Sequence, residues 1–212
     1  MSSFILLKER RQHKIMSNCC TDMVVFYFET DNKKEQLENL AKAIFHCYPA
    51  CFSRSNTGIS ILLDYLGIKK EGLYIRGDVI FYEFKKNSLH LEVYAAWRPL
   101  YYCYQAIAEH FGLEFVMQSE EPGCSIFINT DIFGEYFPAR YRVYLPHETN
   151  AFGTVYEKLY QNESGPEWYL SSAKDLLIFF ASNGISAEDI PQLLSMLDDD
   201  YVKLNTYDTT FE

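Results

Sequence analysis

The sequence predicts an α+β fold, and three observations carry the prediction. Short runs rich in β-branched and aromatic residues recur between Met23 and Leu145, several with the alternation of half-buried strands. Two segments among them, Leu37 to Phe45 and Leu100 to Phe111, repeat apolar residues at helical spacing instead. The two kinds of pattern interleave in the order β-α-(short α)-β-β-α-β-β-β, which is the third observation.

Each element has its own signal. Met23 to Glu29 reads as a strand, and Asn32 with Glu35 stands at capping-box spacing ahead of a helix whose apolar face is Leu37, Leu40, Ala41, Ile44 and Phe45. Ile59, Leu62, Leu63 and Leu66 predict a shorter helix closed by Gly67. Asp78 to Phe84 and Ser88 to Tyr94 are expected to form a hairpin across "KKNS". In the second of these strands Leu89, Leu91 and Val93 alternate with His90, Glu92 and Tyr94, so the two sets face opposite ways. Pro99 suits a first helical turn, and Leu100, Cys103, Tyr104, Ile107, Ala108 and Phe111 form a stripe ending at Gly112. Strands follow at Leu113 to Gln118, at Cys124 to Thr130 after the turn "SEEPG", and at Tyr136 to Leu145 as a last long strand.

Within this order lies β-α-β-β-α-β, the ferredoxin-like arrangement, which places both long helices on one face of an antiparallel sheet. After residue 150 the pattern changes. Phe152 to Tyr160 has a helical pattern, and Ser172 with Asp175 and Ser186 with Asp189 precede two apolar stripes. The first stops at Asn183-Gly184 and the second is Ile190, Leu193, Leu194 and Leu197, which predicts a C-terminal helical hairpin docked on the sheet. Asp198, Asp199 and Asp200 are expected to close the second helix, where the dipole disfavours them. The expected organisation is a basic leader over 1–15, a ferredoxin-like domain over 16–150 and a helical extension over 151–212, with Met16 an alternative start.

Hydrophobic residues make up 48% of the 212 and aromatics 17%, enough for a substantial core and against wholesale disorder. The formal charge of -10 repels phosphate backbones, which argues against nucleic acid and for a basic protein partner or plain solubility. The leader's apolar run, Phe4 to Leu7, precedes Lys8, Arg10 and Arg11, the reverse of a secretory signal, and no stretch reaches the length of a membrane span. The six cysteines lack the spacing of a disulfide scaffold, so reduced thiols in a cytoplasm are expected.

"MSNCC" from Met16 resembles the Met-Pro-Asn-Trp-Cys opening of the YubB-like ferredoxin-domain proteins of plasmids, phages and gut bacteria, with Asn18 and Cys20 at matching positions. "YAAWRPLYYCYQAIAEHFGLEFVMQSEEPGCSIF" is similar to that family's pattern through Trp97, Pro99, Glu121 and Gly123. Cys19 stands where the family usually has tryptophan, the tyrosine before the acidic turn is missing, and Cys47 to Gly77 has no counterpart. The resemblance spans Met16 to Val143 discontinuously. It implies a ferredoxin-like fold without an iron–sulfur cluster, a bacterial or mobile-element origin, and no defined activity.

Motifs that carry chemistry are few. Cys19-Cys20 and Cys47-x3-Cys51 with His46 are the only metal candidates, and adjacent strand residues Cys19 and Cys20 point to opposite faces, so no metal or cofactor is expected. "RGDVIFYEF" from Arg76 begins like an RNA-recognition signature, but Asp78 replaces its first aromatic and the segment falls on the second strand. His13, His46, His90, His110 and His147 lie in unrelated contexts, and there is no G-x-S-x-G, H-E-x-x-H, P-loop or G-x-G-x-x-G. Acidic pairs such as Glu120-Glu121 fall in a turn. The candidate binding surface is the sheet face of His90, Glu92 and Tyr94, with Trp97 beside it and Arg140, Arg142 and Tyr144 expected to join from the last strand.

The preferred expectation is a non-enzymatic module that binds another protein or itself. The alternatives are a small-ligand protein or enzyme with a pocket between the sheet face and the C-terminal helices, using His90, Glu92, Arg140 and Arg142, and, after it, RNA binding.

Overall fold

The computed structural model describes residues 19–49, 57–146, 150–161 and 165–211. The leader over 1–15 with His13, and also Met16, Asn18, Cys51 and His147, lie outside the described residues. The fold is α+β, with a five-stranded antiparallel sheet, a three-stranded antiparallel sheet and, among the described residues, six α-helices.

Strand β1 (Cys19–Tyr27) begins four residues before the expected Met23. Helix α1 (Lys34–Cys47) follows a short 3-10 turn, and no side chain caps it, in place of the expected capping box. Asn32 instead accepts a hydrogen bond from the Thr30 hydroxyl. Helix α2 (Ile59–Tyr65) leads through strand β2 (Gly77–Phe84) and strand β3 (Ser88–Ala96) to helix α3 (Tyr101–Phe111), which ends on left-handed Gly112. Strand β4 (Glu114–Glu121) runs on into the expected turn, and β5 (Ile126–Asn129) returns along it.

The first sheet has the order β2-β3-β1-β4-β5, so β1 lies at its centre between β3 and β4. Alternate residues Val24 and Phe26 of β1 and Leu89, Leu91 and Val93 of β3 share one core with the stripes of the helices. Leu37, Leu40 and Ile44 of α1, Ile59, Leu62 and Leu63 of α2, and Tyr104 and Ile107 of α3 enter that same core. The helices thus cover a single face, each fully buried aliphatic side chain contributing about 1.5–3 kcal/mol. Phe45 departs from the expected stripe: it is 55% exposed and sits edge-on to Tyr82, while Ala43 takes the inward position.

The expected long strand from Tyr136 is replaced by a loop and the short strand β6 (Tyr141–Tyr144), which belongs to the second sheet. The outer edge of β5 is already occupied. The C-terminal tail pairs there, Asn129 N donating to Asp208 O at 2.7 Å and Asp208 N to Phe127 O at 2.9 Å, so β6 cannot add to the first sheet. It pairs instead with β7 (Glu167–Leu170) and β8 (Lys203–Thr206), two four-residue strands that sequence periodicity did not reveal.

In place of the expected hairpin alone, helices α5 (Ala173–Ser182) and α6 (Ile190–Met196) pack with this sheet around Val143, Leu159, Leu176, Phe180 and Leu193. Ser172 caps α5 as predicted, accepting from Asp175 N, whereas α6 starts three residues later than the Ser186–Asp189 spacing suggests and is capped by Asp189, which accepts from Gln192 N. Only Glu157–Tyr160 of the expected helix at Phe152 is helical, as α4. The Asp198 to Asp200 run lies in a turn beyond the end of α6, where the carbonyl of Asp198 accepts from Tyr201 N and Val202 N.

Candidate functional site

The residues singled out on the sheet face are dispersed by the fold. His90 exchanges a 3.0 Å hydrogen bond with Ser88 Oγ and lies edge-on to Tyr136, and burial, then Lys85, holds its pKa below the ordinary value. Glu92 and Tyr94 share its face, paired across from Met23 and Thr21 of β1, and Tyr94 is exposed. Trp97 is 51% exposed on a backbone with φ +72°, a left-handed conformation that a bulky residue rarely adopts. Arg140 turns into a neighbouring loop, and Arg142 lies between the two sheets with Tyr144 beneath its guanidinium. The fold therefore does not gather the seven residues into one surface, because β6 leaves the first sheet.

Two buried polar clusters lie elsewhere. Asp22 on β1 points into the helix-covered core, where Oδ2 accepts from Tyr104 OH at 2.7 Å and from Leu100 N at 2.9 Å. Its Oδ1 accepts from Ser119 Oγ at 2.6 Å and from the Cys20 thiol at 3.4 Å. Burial raises its pKa despite these four donors. The cluster ties the central strand to β4 and to the start of α3, and its groups are satisfied among themselves. The neighbouring thiols are poor nucleophiles: burial, then Asp22, pushes Cys103 up to about 11 and Cys20 higher still. Among the described residues no group of three or more His, Cys, Asp or Glu side chains is placed to hold a metal ion.

The second cluster joins the sheets. Arg142 pairs with Glu167 of β7 and, at 3.4 Å, with Glu120 of β4, and its guanidinium lies 5.5 Å from the Phe127 ring. Tyr207 donates to Glu120, and Gln118 Nε2 donates to Tyr207 OH at 3.2 Å. Burial and then Glu120 push the Tyr169 and Tyr207 hydroxyls well up, so both stay protonated; Tyr207 donates to Glu120, whereas Tyr169 accepts from Arg142. Glu120 was expected in a solvated turn; here it is a largely buried partner of Arg142.

The feature that sequence reasoning missed is the loop between β5 and β6. Asp131 is buried, and its carboxylate accepts from Gly134 N at 2.9 Å, Tyr136 N at 2.6 Å and Phe137 N at 2.8 Å. Burial alone would raise this carboxyl, but the backbone N–H groups outweigh it and the net pKa is lowered. Asn129 closes the base of the loop, accepting from Asp131 N and donating to the carbonyls of Phe137 and Ala139. Arg140 adds donors to the carbonyls of Asp131, Phe137 and Ala139. Gly134 is required at the turn: its φ is +72°, and a Cβ there would stand 3.3 Å from Pro138 Cα.

This scaffold holds an apolar tip in solvent. Ile132 is 61% exposed and Phe133 is 91% exposed, the highest value among the described large hydrophobic residues. Tyr136, at the base, packs its ring tilted against that of Tyr27, with centroids 5.3 Å apart, and Glu114 and Glu29 act on Tyr27 from nearby. Glu135 is exposed beside the tip, and the Arg140 guanidinium lies at its turn, 3.4 Å from where a Gly134 Cβ would stand. Asn129, Asp131 and Gly134 are turn-forming residues at close spacing, and with Pro138 they are the signals in the sequence that pointed to such a loop.

Among the described residues no helix is long and apolar enough to cross a membrane. Comparison with family models, with curated proteins and with solved structures returns no match.

Proposed function

We propose that this chain is a non-enzymatic protein-interaction module, acting in a cytoplasm of bacterial or mobile-element origin. One observation carries the reading: an almost fully exposed phenylalanine on a loop whose backbone is fixed by a buried aspartate. Exposing Phe133 forgoes the stabilisation its burial would give, and a rigid aromatic anchor is the kind of residue that dominates binding energy at interfaces. Ordering such an anchor in advance removes the loop-ordering part of the entropic cost of binding. The likeness to the YubB-like family belongs to this proposal as support for the fold, resting on Trp97, Pro99, Glu121 and Gly123. The polar groups of the ligand-pocket alternative are engaged elsewhere, Arg140 by loop carbonyls and Arg142 by two carboxylates, which favours the interaction reading over it.

The test is affinity capture from native cells with the wild type and with Phe133→Ser as paired baits. Phe133→Ser is expected to change unfolding free energy by less than about 0.5 kcal/mol, since it is a surface substitution. A protein enriched on the wild type and lost on the folded variant supports the proposal. Identical captures from both baits, with both proteins monomeric, would remove it.

A further inference from the structure

We infer that the C-terminal segment Tyr207–Phe211 positions the Phe133 loop, and that Phe211, seated on α3, is the residue that keeps this segment in place. The inference rests on the interaction reading, because it concerns what holds that reading's aromatic anchor in order.

Consecutive residues of the tail staple the two ends of the loop. At the β5 end, Asn129 N donates to Asp208 O at 2.7 Å and Asp208 N to Phe127 O at 2.9 Å, which sets Asp208 beside Ile128 in a parallel bridge. At the β6 end, Tyr207 N donates to Arg140 O at 3.0 Å. Tyr207 is 3% exposed, and its ring lies edge-on to Phe127 in a small core shared with Ala139. One pair of adjacent residues thus fastens the strand that enters the loop and the residues that leave it.

The two stapled ends carry the groups that order the tip. Asn129 accepts from Asp131 N and donates to the carbonyls of Phe137 and Ala139, so its side chain spans the loop from one end to the other. The Arg140 guanidinium donates to the carbonyls of Asp131, Phe137 and Ala139. Asp131, held between them, accepts the amides of Gly134, Tyr136 and Phe137. If the ends part, the Asn129 bonds across the loop are lost with them.

Beyond Tyr207 the tail is lightly fastened. Asp208, Thr209 and Thr210 are exposed, and past Asp208 the anchor is the Phe211 ring. That ring stacks on Tyr101 of α3 with centroids 4.7 Å apart and planes within 10° of parallel, and meets Tyr102 edge-on at 5.6 Å. Tyr101 is itself packed against Phe115 of β4. Terminal segments with few buried contacts open at lower free energy than the core, so a single aromatic anchor governs how often this one opens. The physical route from Phe211 to the tip is continuous: ring stack, Asp208 pairing with β5, the two loop ends, Asp131.

Amide hydrogen exchange of the full chain, followed by NMR under conditions where the rate reports the opening equilibrium, tests the inference without a partner. In Phe211→Ser the amides of Asn129, Tyr207 and Asp208 are expected to exchange about tenfold faster than in the wild type. The loop amides of Asp131, Tyr136 and Phe137 should accelerate with them, while those of β1 and β3 keep their wild-type rates. Phe211→Tyr, which keeps a ring able to stack, should restore wild-type rates throughout. Loop amides at wild-type rates beside accelerated tail amides overturn the inference, because tail and loop then open independently. Equal acceleration in β1 and β3 overturns it too, since Phe211 is then a residue of general stability, as does a pattern that Phe211→Ser leaves unchanged. The interaction reading fails by capture and this inference by exchange rates, so the two failures are distinct.

Discussion

Asp22→Leu is expected to lower the unfolding free energy by about 4 kcal/mol in urea titrations, whereas Asp22→Asn should stay within about 1 kcal/mol of the wild type. Leucine leaves the Tyr104 hydroxyl, the Ser119 hydroxyl and the Leu100 amide buried without an acceptor, each costing about 1–3 kcal/mol. Asparagine can direct its carbonyl oxygen at Tyr104 and Leu100, and its amide at Ser119, whose hydroxyl rotates to accept. A wild-type value for Asp22→Leu would show that the carboxylate does not anchor the core.

The same residue gives a pH signature with a definite sign. Burial raises the folded-state pKa of Asp22, so its protonated form is favoured in the folded protein. The corresponding stability is fully present below the unfolded carboxyl value, near about 4, and is lost as pH rises through the raised folded value. Asp22→Asn lacks that titration. The stability difference between the two proteins should therefore shift in favour of Asp22→Asn as the pH rises from about 4.

Arg142→Met is expected to cost about 3 kcal/mol at neutral pH, and the loss should shrink on acidification. The Arg142, Glu120 and Glu167 side chains are 11%, 16% and 23% exposed, so removing the guanidinium leaves two desolvated carboxylates facing the same vacated site. Protonating either carboxylate relieves the repulsion between them, so stability recovers as pH falls. The triple variant Arg142→Met, Glu120→Gln, Glu167→Gln should recover most of the loss, because it removes the unpaired charges together with their partner. Native-state hydrogen exchange adds a spatial check: Arg142→Met should speed exchange in β6 and β7 more than in β1 and β3. Equal acceleration throughout would show that the cluster is not a joint between the sheets.

Long periodic segments were legible in the sequence and short ones were not. The stripes of α1 and α3 apart from Phe45, the β2–β3 hairpin and the cap at Ser172 all rest on local chemistry, and the structure contains them. Strands β7 and β8 are four residues each and find their partner more than twenty residues away, so their pairing is fixed by tertiary context. The fate of β6 depended on the tail claiming the edge of β5, an event some sixty residues further along the chain. Of the candidate site residues, His90, Glu92 and Tyr94 were correctly placed on one face by alternation, while Arg140, Arg142 and Tyr144 followed β6 to the other sheet. The Ile132–Phe133 tip fell in the connection between two expected strands, and an apolar pair in a connection gives no sign of whether it is buried or faces solvent.

The account depends on that tip being held still while exposed. Backbone 15N relaxation of the wild-type protein measures this directly. Order parameters near 0.85 across residues 131 to 137, equal to those of β4, are the predicted result. Values below about 0.6 would show a loose loop whose phenylalanine is not preorganised, and would contradict the account.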